Sequence, residues 1–207
     1  MTRPQVSNEK HRPLGFLGKM VLDKNVSNIV LIGMPGSGKS TAGVILAKKT
    51  ARAFVDTDVL IQTAEKQTLQ QIVDKKGHSA LRAIEEALLL DLNVQNHVIA
   101  TGGSAVYSDA AMAHLQSDGI IVFLDADLAT LEQRVGDFSA RGIAKRPEQS
   151  FAQLYAERLG LYQKHADIAV ACAGIAQETV CEQIMAKLTA IHSNQRRKTG
   201  YDARGQH

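Results

Sequence analysis

The chain has 207 residues, 44% hydrophobic and 22% charged, with a formal charge of +3. That composition excludes a disordered chain, and no apolar run reaches the ~18 residues of a membrane-spanning helix. Two cysteines, Cys172 and Cys181, exclude a disulfide scaffold, and no Cys/His spacing reads as a zinc site. The first residues hold no apolar stretch of signal-peptide length, so a cytoplasmic protein is expected. The charge is unevenly placed: residues 1–24 and 188–207 carry +3 each, whereas residues 25–187 carry −3. Basic ends read either as nucleic-acid or membrane contacts or as solubilising, poorly ordered termini. Neither end interleaves aromatics with its charge, which favours the second reading. The expectation is therefore a basic tail over 1–24, a body over 25–192 and a second basic tail over 193–207. No nucleic-acid or membrane partner is expected, and the protein is read as a monomer.

Along the chain, short apolar runs alternate with longer amphipathic stretches. Asn28–Ile32 reads as a buried strand, followed by a Gly-rich turn and a helix over Lys39–Thr50. A short strand at Ala53–Val55 ends in Asp56-Thr57-Asp58, and helical segments follow near 59–65, 69–75 and 78–92. His97–Thr101 is a third strand closed by Gly102-Gly103. Ser108 is placed to cap a helix running to Leu115, Gly119–Leu124 is a fourth strand, and Asp127 caps a helix to about Val135. Residues 138–150 mix Gly, Pro and charge and read as a mobile lid. Phe151–Lys164 is a helix, Ile168–Val170 a fifth strand and Thr179–Ile191 a last helix. Alternating strands and helices with nearly unbroken apolar strands predict an α/β protein of three layers, α/β/α, around a five-stranded parallel sheet.

Function begins at the end of the first strand. Gly33-Met34-Pro35-Gly36-Ser37-Gly38-Lys39-Ser40-Thr41 fits G-x-x-x-x-G-K-[ST], with a strand before it and a helix after it. Glycines let the backbone wrap a phosphate, and the helix adds its positive end. Gly33, Gly36, Ser37, Gly38, Lys39, Ser40 and Thr41 therefore make a nucleotide cradle. In it Lys39 bridges the β- and γ-phosphates and Ser40 offers a hydroxyl to Mg²⁺. The pair Asp56 and Asp58 has two readings. One makes them a metal-water holder and a proton acceptor sharing a strand face; the other makes them a turn former and a helix cap. Arg82 reads either as a surface ion-pair partner of Glu85 or Glu86 or as a ligand group. Gly102-Gly103 is either a turn or a close approach of backbone to a small molecule.

The cradle, Asp56-Thr57-Asp58, Leu81-Arg82 with Glu85-Glu86, Gly102-Gly103, Arg146-Pro147, and Arg158 with Leu161-Tyr162 occur in an order and spacing that resembles shikimate kinases. The resemblance covers about residues 27–170. It implies a P-loop kinase fold and ATP-dependent phosphorylation of a small hydroxylated carboxylic acid, shikimate first. ATP and Mg²⁺ are the implied cofactors, and aromatic amino-acid synthesis the implied pathway. By position it implies that Asp56 helps place Mg²⁺, that Asp58 meets the substrate hydroxyls as base, and that Arg82 and Arg158 share the substrate carboxylate. It further implies that Gly102 and Gly103 lie against the substrate, that Arg146 reaches the transferred phosphoryl, and that Arg134 stacks on adenine.

Three positions depart from that pattern. Ser104 stands where a third glycine is usual, Glu148-Gln149 replace two leucines after Arg146-Pro147, and Gly160 replaces a proline before Leu161-Tyr162. All three concern the acceptor side, where small changes redirect specificity. A kinase of another small metabolite and a non-catalytic ATP-binding regulator are the alternatives. His165 reads as a surface residue, and the two cysteines as free thiols.

Overall fold

The computed structural model describes residues 27–135 and 142–202. Five parallel strands, β1 (Asn28–Ile32), β2 (Ala53–Asp56), β3 (His97–Ala100), β4 (Gly119–Asp125) and β5 (Ile168–Ala171), form one sheet in the order β2-β3-β1-β4-β5. In register, Val30 faces Ile99 of β3 on one side and Ile121 of β4 on the other. The central strands are apolar along their length because helices cover both faces, and Leu31, Ile121 and Leu124 have no exposed surface. The edge strand β5 instead alternates, burying Ile168 and Val170 and exposing Ala169 and Ala171.

Among the described residues seven helices surround the sheet: α1 (Lys39–Thr50), α2 (Thr57–Glu65), α3 (Leu69–Asp91), α4 (Asp109–Ser117), α5 (Leu128–Val135), α6 (Phe151–His165) and α7 (Gln177–Asp202). Their starts follow the caps read from the sequence: Ser108 Oγ accepts from Ala111 N–H, and Asp127 Oδ1 accepts from Thr130 N–H. Ser150 and Gln153 form a reciprocal capping box for α6. The two helices expected near 69–75 and 78–92 join as α3 across a kink at Gly77, whose φ of 83° is left-handed. A short 3₁₀ turn, Ala105–Tyr107, was not foreseen, and α7 continues beyond Ile191 to Asp202. His165 is buried, 4% exposed and 3.2 Å from Asp109, so the surface reading of this residue is corrected: the end of α6 packs it inward. Cys172 and Cys181 are free and buried, as expected. Among the described residues no helix is long and apolar enough to cross a membrane.

β1 leads through α1 to β2 on one side, while β3 leads through α4 to β4 on the other. The carboxyl ends of β1 and β3 therefore open into a crevice, the usual place for ligands in such sheets. Over that crevice α2 and α3 build a second, smaller core of Ile61, Ile72 and Leu81, closed by Ala144 from the lid. Leu31 stands at the centre of the main core. Leu31→Ala is expected to cost about 2–5 kcal/mol in urea unfolding. A loss below about 1 kcal/mol would contradict the packing described.

Candidate active site

The phosphate cradle lies where the sequence places it. Gly33, Gly36 and Gly38 all have positive φ, and Gly38 caps α1 in the left-handed region. These angles curl the loop until Lys39 Nζ donates to the carbonyls of Gly33 (2.8 Å) and Met34 (3.0 Å). Ser37 is buried, and its hydroxyl has no hydrogen-bond partner among the described residues. A cleft of about 870 Å³ runs past Gly36, Gly38, Lys39, Ser40 and Thr41 to Arg134 and Gln177 on its far wall, a size suited to a nucleotide. Arg134, at the end of α5, lines the cleft and donates to the Cys172 carbonyl at 3.1 Å. Lys39 as a whole is only half-buried, yet its ammonium is enclosed. That enclosure lowers its pKa to about 8 against the opposing pull of Asp58.

The aspartate pair separates into two roles. β2 ends at Asp56, so the two side chains do not share a strand face. Asp56 is the N-cap of α2, its Oδ1 accepting from Asp58 N–H (3.0 Å) and Val59 N–H (3.4 Å). Asp58 projects from the first turn of α2 into the crevice, lining both the nucleotide cleft and a smaller cavity of about 70 Å³ behind it. Burial raises the Asp58 pKa, with Lys39 pulling the other way.

That smaller cavity gathers several of the residues expected on the acceptor side. Its walls include Lys39, Asp58, Glu85, Gly103, Ser104 and Arg158, and Gly142–Ala144 of the lid roof it. A methyl on Gly102 would overlap Glu85 Oε1 and stand 2.6 Å from Asp58 Oδ1; one on Gly103 would stand 2.9 Å from Arg158 Nη1. The two glycines are thus a close approach, with the protein's own charged groups drawn in around them. Tyr162 Oη donates to the Gly103 carbonyl at 2.7 Å and pins that approach.

Arg158 is 1% exposed, yet it is well held: Nη2 donates to the Ala144 carbonyl (2.8 Å) and Nε to Tyr107 Oη (3.3 Å). Arg82 comes from α3 to the same carbonyl (3.3 Å) and lies 3.6 Å above the Tyr107 ring. Two guanidiniums therefore converge on one oxygen. Arg82 reaches it from the adjoining groove, about 330 Å³, which shares Glu85 and Ser104 with the acceptor cavity. The surface ion pair weighed for Arg82 is replaced by this stack and hydrogen bond.

The lid is seated against α3, not open. Gly142 N–H donates to Gln70 Oε1 at 2.7 Å, and Ile143 and Ala144 are buried. Residues 138–141 of the expected lid lie outside the described residues. Arg146 is turned away from both cavities and pairs with Glu157 at 3.0 Å, so its expected contact with the phosphoryl is not made here. Glu157 also takes hydrogen bonds from Tyr107 Oη (2.5 Å) and Gln149 Nε2 (2.6 Å). Gln149, one of the departing lid residues, thus serves to anchor the lid to α6. Tyr107, Ala144, Glu157 and Gln177 were not singled out in the sequence, because their partners lie far away in the chain.

The family model for shikimate kinase matches residues 35–189. The chain belongs to the shikimate kinase family. A shikimate kinase of Thermodesulfovibrio yellowstonii is 36% identical over 163 residues, 77% of this chain and 94% of that protein. Among solved structures, shikimate kinase from Acinetobacter baumannii in complex with shikimate superposes with a TM-score of 0.71 at 28% identity, over 82% of this chain and 95% of that one. Shikimate kinase from Aquifex aeolicus gives 0.67 at 32% identity, over 80% and 98%. The P-loop kinase fold is therefore that of the family. Of the three departures from the shikimate kinase pattern, Gly160 is exposed and meets nothing within 4 Å of a Cβ, so it lies outside the site. Ser104 is inside it, buried, with its hydroxyl donating to Glu85 Oε2.

Glu85 is 2% exposed, and burial raises its pKa to about 7, against the opposing Ser104 hydrogen bond. A carboxyl raised on folding binds its proton more tightly in the folded state, so its contribution to stability is full below the unfolded pKa, about 4.5, and is lost as pH rises through about 7. Wild type is expected to lose stability relative to Glu85→Gln over that interval, read as denaturant midpoints. Parallel curves would contradict the assignment.

Proposed function

We propose that the protein transfers the γ-phosphoryl of ATP to a hydroxyl of shikimate, giving shikimate 3-phosphate. The observation that carries this reading is the convergence of Arg82 and Arg158 on a single oxygen, the Ala144 carbonyl, beside the cavity that holds Asp58 and Lys39. Two forked cations around one oxygen suit a carboxylate far better than a neutral carbonyl. The acceptor's carboxylate takes the place of Ala144 O, which requires Gly142–Ala144 to lift. Its hydroxyl then lies next to Asp58, on the nucleotide side.

In the reaction the hydroxyl oxygen bonds to the γ-phosphorus and the bond from that phosphorus to the bridging oxygen of ADP breaks. The hydroxyl proton passes to Asp58, whose raised pKa suits a base that must hold a proton. Lys39 leaves the loop carbonyls of Gly33 and Met34 for the β- and γ-phosphates and balances the charge moving between them. Ser40 and the Asp56 oxygen not used by the cap would hold Mg²⁺, directly or through water, and hard oxygen donors of this kind suit that ion. Bound there, Mg²⁺ would neutralise phosphate charge. Arg134, on the wall of the cleft, would meet the adenine on this reading. Arg146 meets the phosphoryl only by exchanging Glu157 for it, a movement that belongs with lid closure over substrate. The reading keeps a cytoplasmic monomer with a catalytic body over 25–192 and no membrane or nucleic-acid partner.

The test is ADP release with and without shikimate. Shikimate-dependent release is expected; ATP turnover that no acceptor stimulates would favour the regulatory alternative, and turnover with a different hydroxy acid only would favour another metabolite kinase. Asp58→Asn is expected to keep ATP binding and lower turnover by about 10²–10⁴. Unchanged turnover would remove the base. Arg82→Ala, half-buried and so safer to remove than Arg158, is expected to raise the shikimate KM about tenfold or more with little change for ATP. Equal effects on both would return Arg82 to a structural role.

A further inference from the structure

The acceptor cavity holds one charged group that the reaction above does not use. Glu85 stands one turn after Arg82 on α3. Its Oε2 accepts from Ser104 Oγ, while its Oε1 is buried, has no hydrogen-bond partner among the described residues, and faces Asp58 Oδ1 across Gly102. A buried carboxyl oxygen without a donor is costly, and a ligand that brings a donor to it recovers that loss. Ser104 fixes which oxygen is left over. It begins the turn Ala105–Tyr107, whose other end grips the same helix: Tyr107 lies under Arg82, and Ser108 Oγ donates to Glu86 at 2.6 Å.

We infer that Ser104 is a positioning residue for the acceptor, holding Glu85 by one oxygen so that the other receives a hydrogen bond from a second acceptor hydroxyl beside the one that Asp58 meets. The inference rests on the shikimate reading and sharpens it. The preferred acceptor carries a carboxylate at the two arginines and two neighbouring hydroxyls, one for Asp58 and one for Glu85. Acids with a single hydroxyl leave Glu85 Oε1 unsatisfied and are discriminated against. The serine that departs from the family's third glycine thus adds selectivity to the cavity without obstructing it.

The charged and titratable groups facing Glu85 are Lys39 from α1, Asp58 from α2 and Arg158 and Tyr162 from α6, and its hydrogen bond from Ser104 holds its pKa down against burial. Removing the hydroxyl therefore moves the acid limb of kcat/KM for shikimate to higher pH. At Ser104 the backbone is in the ordinary right-handed region (φ −97°), so both alanine and glycine fit without strain.

The experiment measures kcat, both KM values and the pH profile for wild type, Ser104→Ala and Ser104→Gly in the full chain. The expected result is an acceptor KM raised about tenfold, an ATP KM within about twofold, and an acid limb displaced upward in pH. Wild-type kinetics in both variants, or equal losses for ATP and shikimate, would overturn the inference and leave the shikimate reading standing. A wild type with no shikimate-dependent turnover would overturn that reading and this inference with it. If Ser104→Ala fails to fold, Ser104→Gly, which adds no atoms, decides the question alone.

Discussion

Two cations and two carboxyl groups face one another in a cavity of about 70 Å³, and most of the surrounding structure exists to hold them there. Lys39, Arg158, Asp58 and Glu85 are drawn from four different helices. Left to themselves, Lys39 and Arg158 would repel, as would Asp58 and Glu85, and burial opposes every charge in the set. Three of the four have a fixed hydrogen-bond partner that helps to offset this: loop carbonyls for Lys39, Tyr107 Oη and Ala144 O for Arg158, and Ser104 for Glu85. The consequence is a small pocket whose charged groups are already organised, in which, on the proposed reading, a small anionic polyol replaces protein contacts with its own.

The same constraint explains the lid. Ala144 belongs to the small core of Ile61, Ile72 and Leu81, so the residue that supplies the oxygen for both arginines is also an apolar plug. Lifting it uncovers that core and the two guanidiniums together. On the proposed reading, acceptor binding offsets both losses, which would link capture of the carboxylate to movement of Gly142–Ala144. Tyr107 joins the two sides, touching Arg82 and Arg158 with its ring and hydrogen-bonding to Glu157, which in turn holds Arg146.

Much of this was legible in the sequence, and the reason is local chemistry. The cradle declares itself through glycines that take positive φ, the strands through unbroken apolar runs, and two helix starts through Ser108 and Asp127. The aspartate pair carried two readings because strand end and helix cap look alike in one dimension; the cap was read at the second aspartate, Asp58, whereas Asp56 caps α2 and so aims Asp58 from a helix instead of a strand. Illegible were the features made by distant pairs. Arg82 and Ala144 are 62 residues apart, Arg158 and Tyr107 51, and nothing in either local sequence encodes the meeting. Ser104 read only as a departure from a usual glycine for the same reason: its partner Glu85 stands 19 residues earlier on another element.

The account turns on a carboxylate being gripped where Ala144 O now lies. The direct measurement is calorimetric titration of the ATP-analogue-bound protein with shikimate and with its neutral methyl ester. Loss of charge-assisted bonds to two guanidiniums predicts binding of the ester weaker by about tenfold to a hundredfold. Equal affinity for acid and ester would show that the arginines do not hold the acceptor, and the central claim would fall.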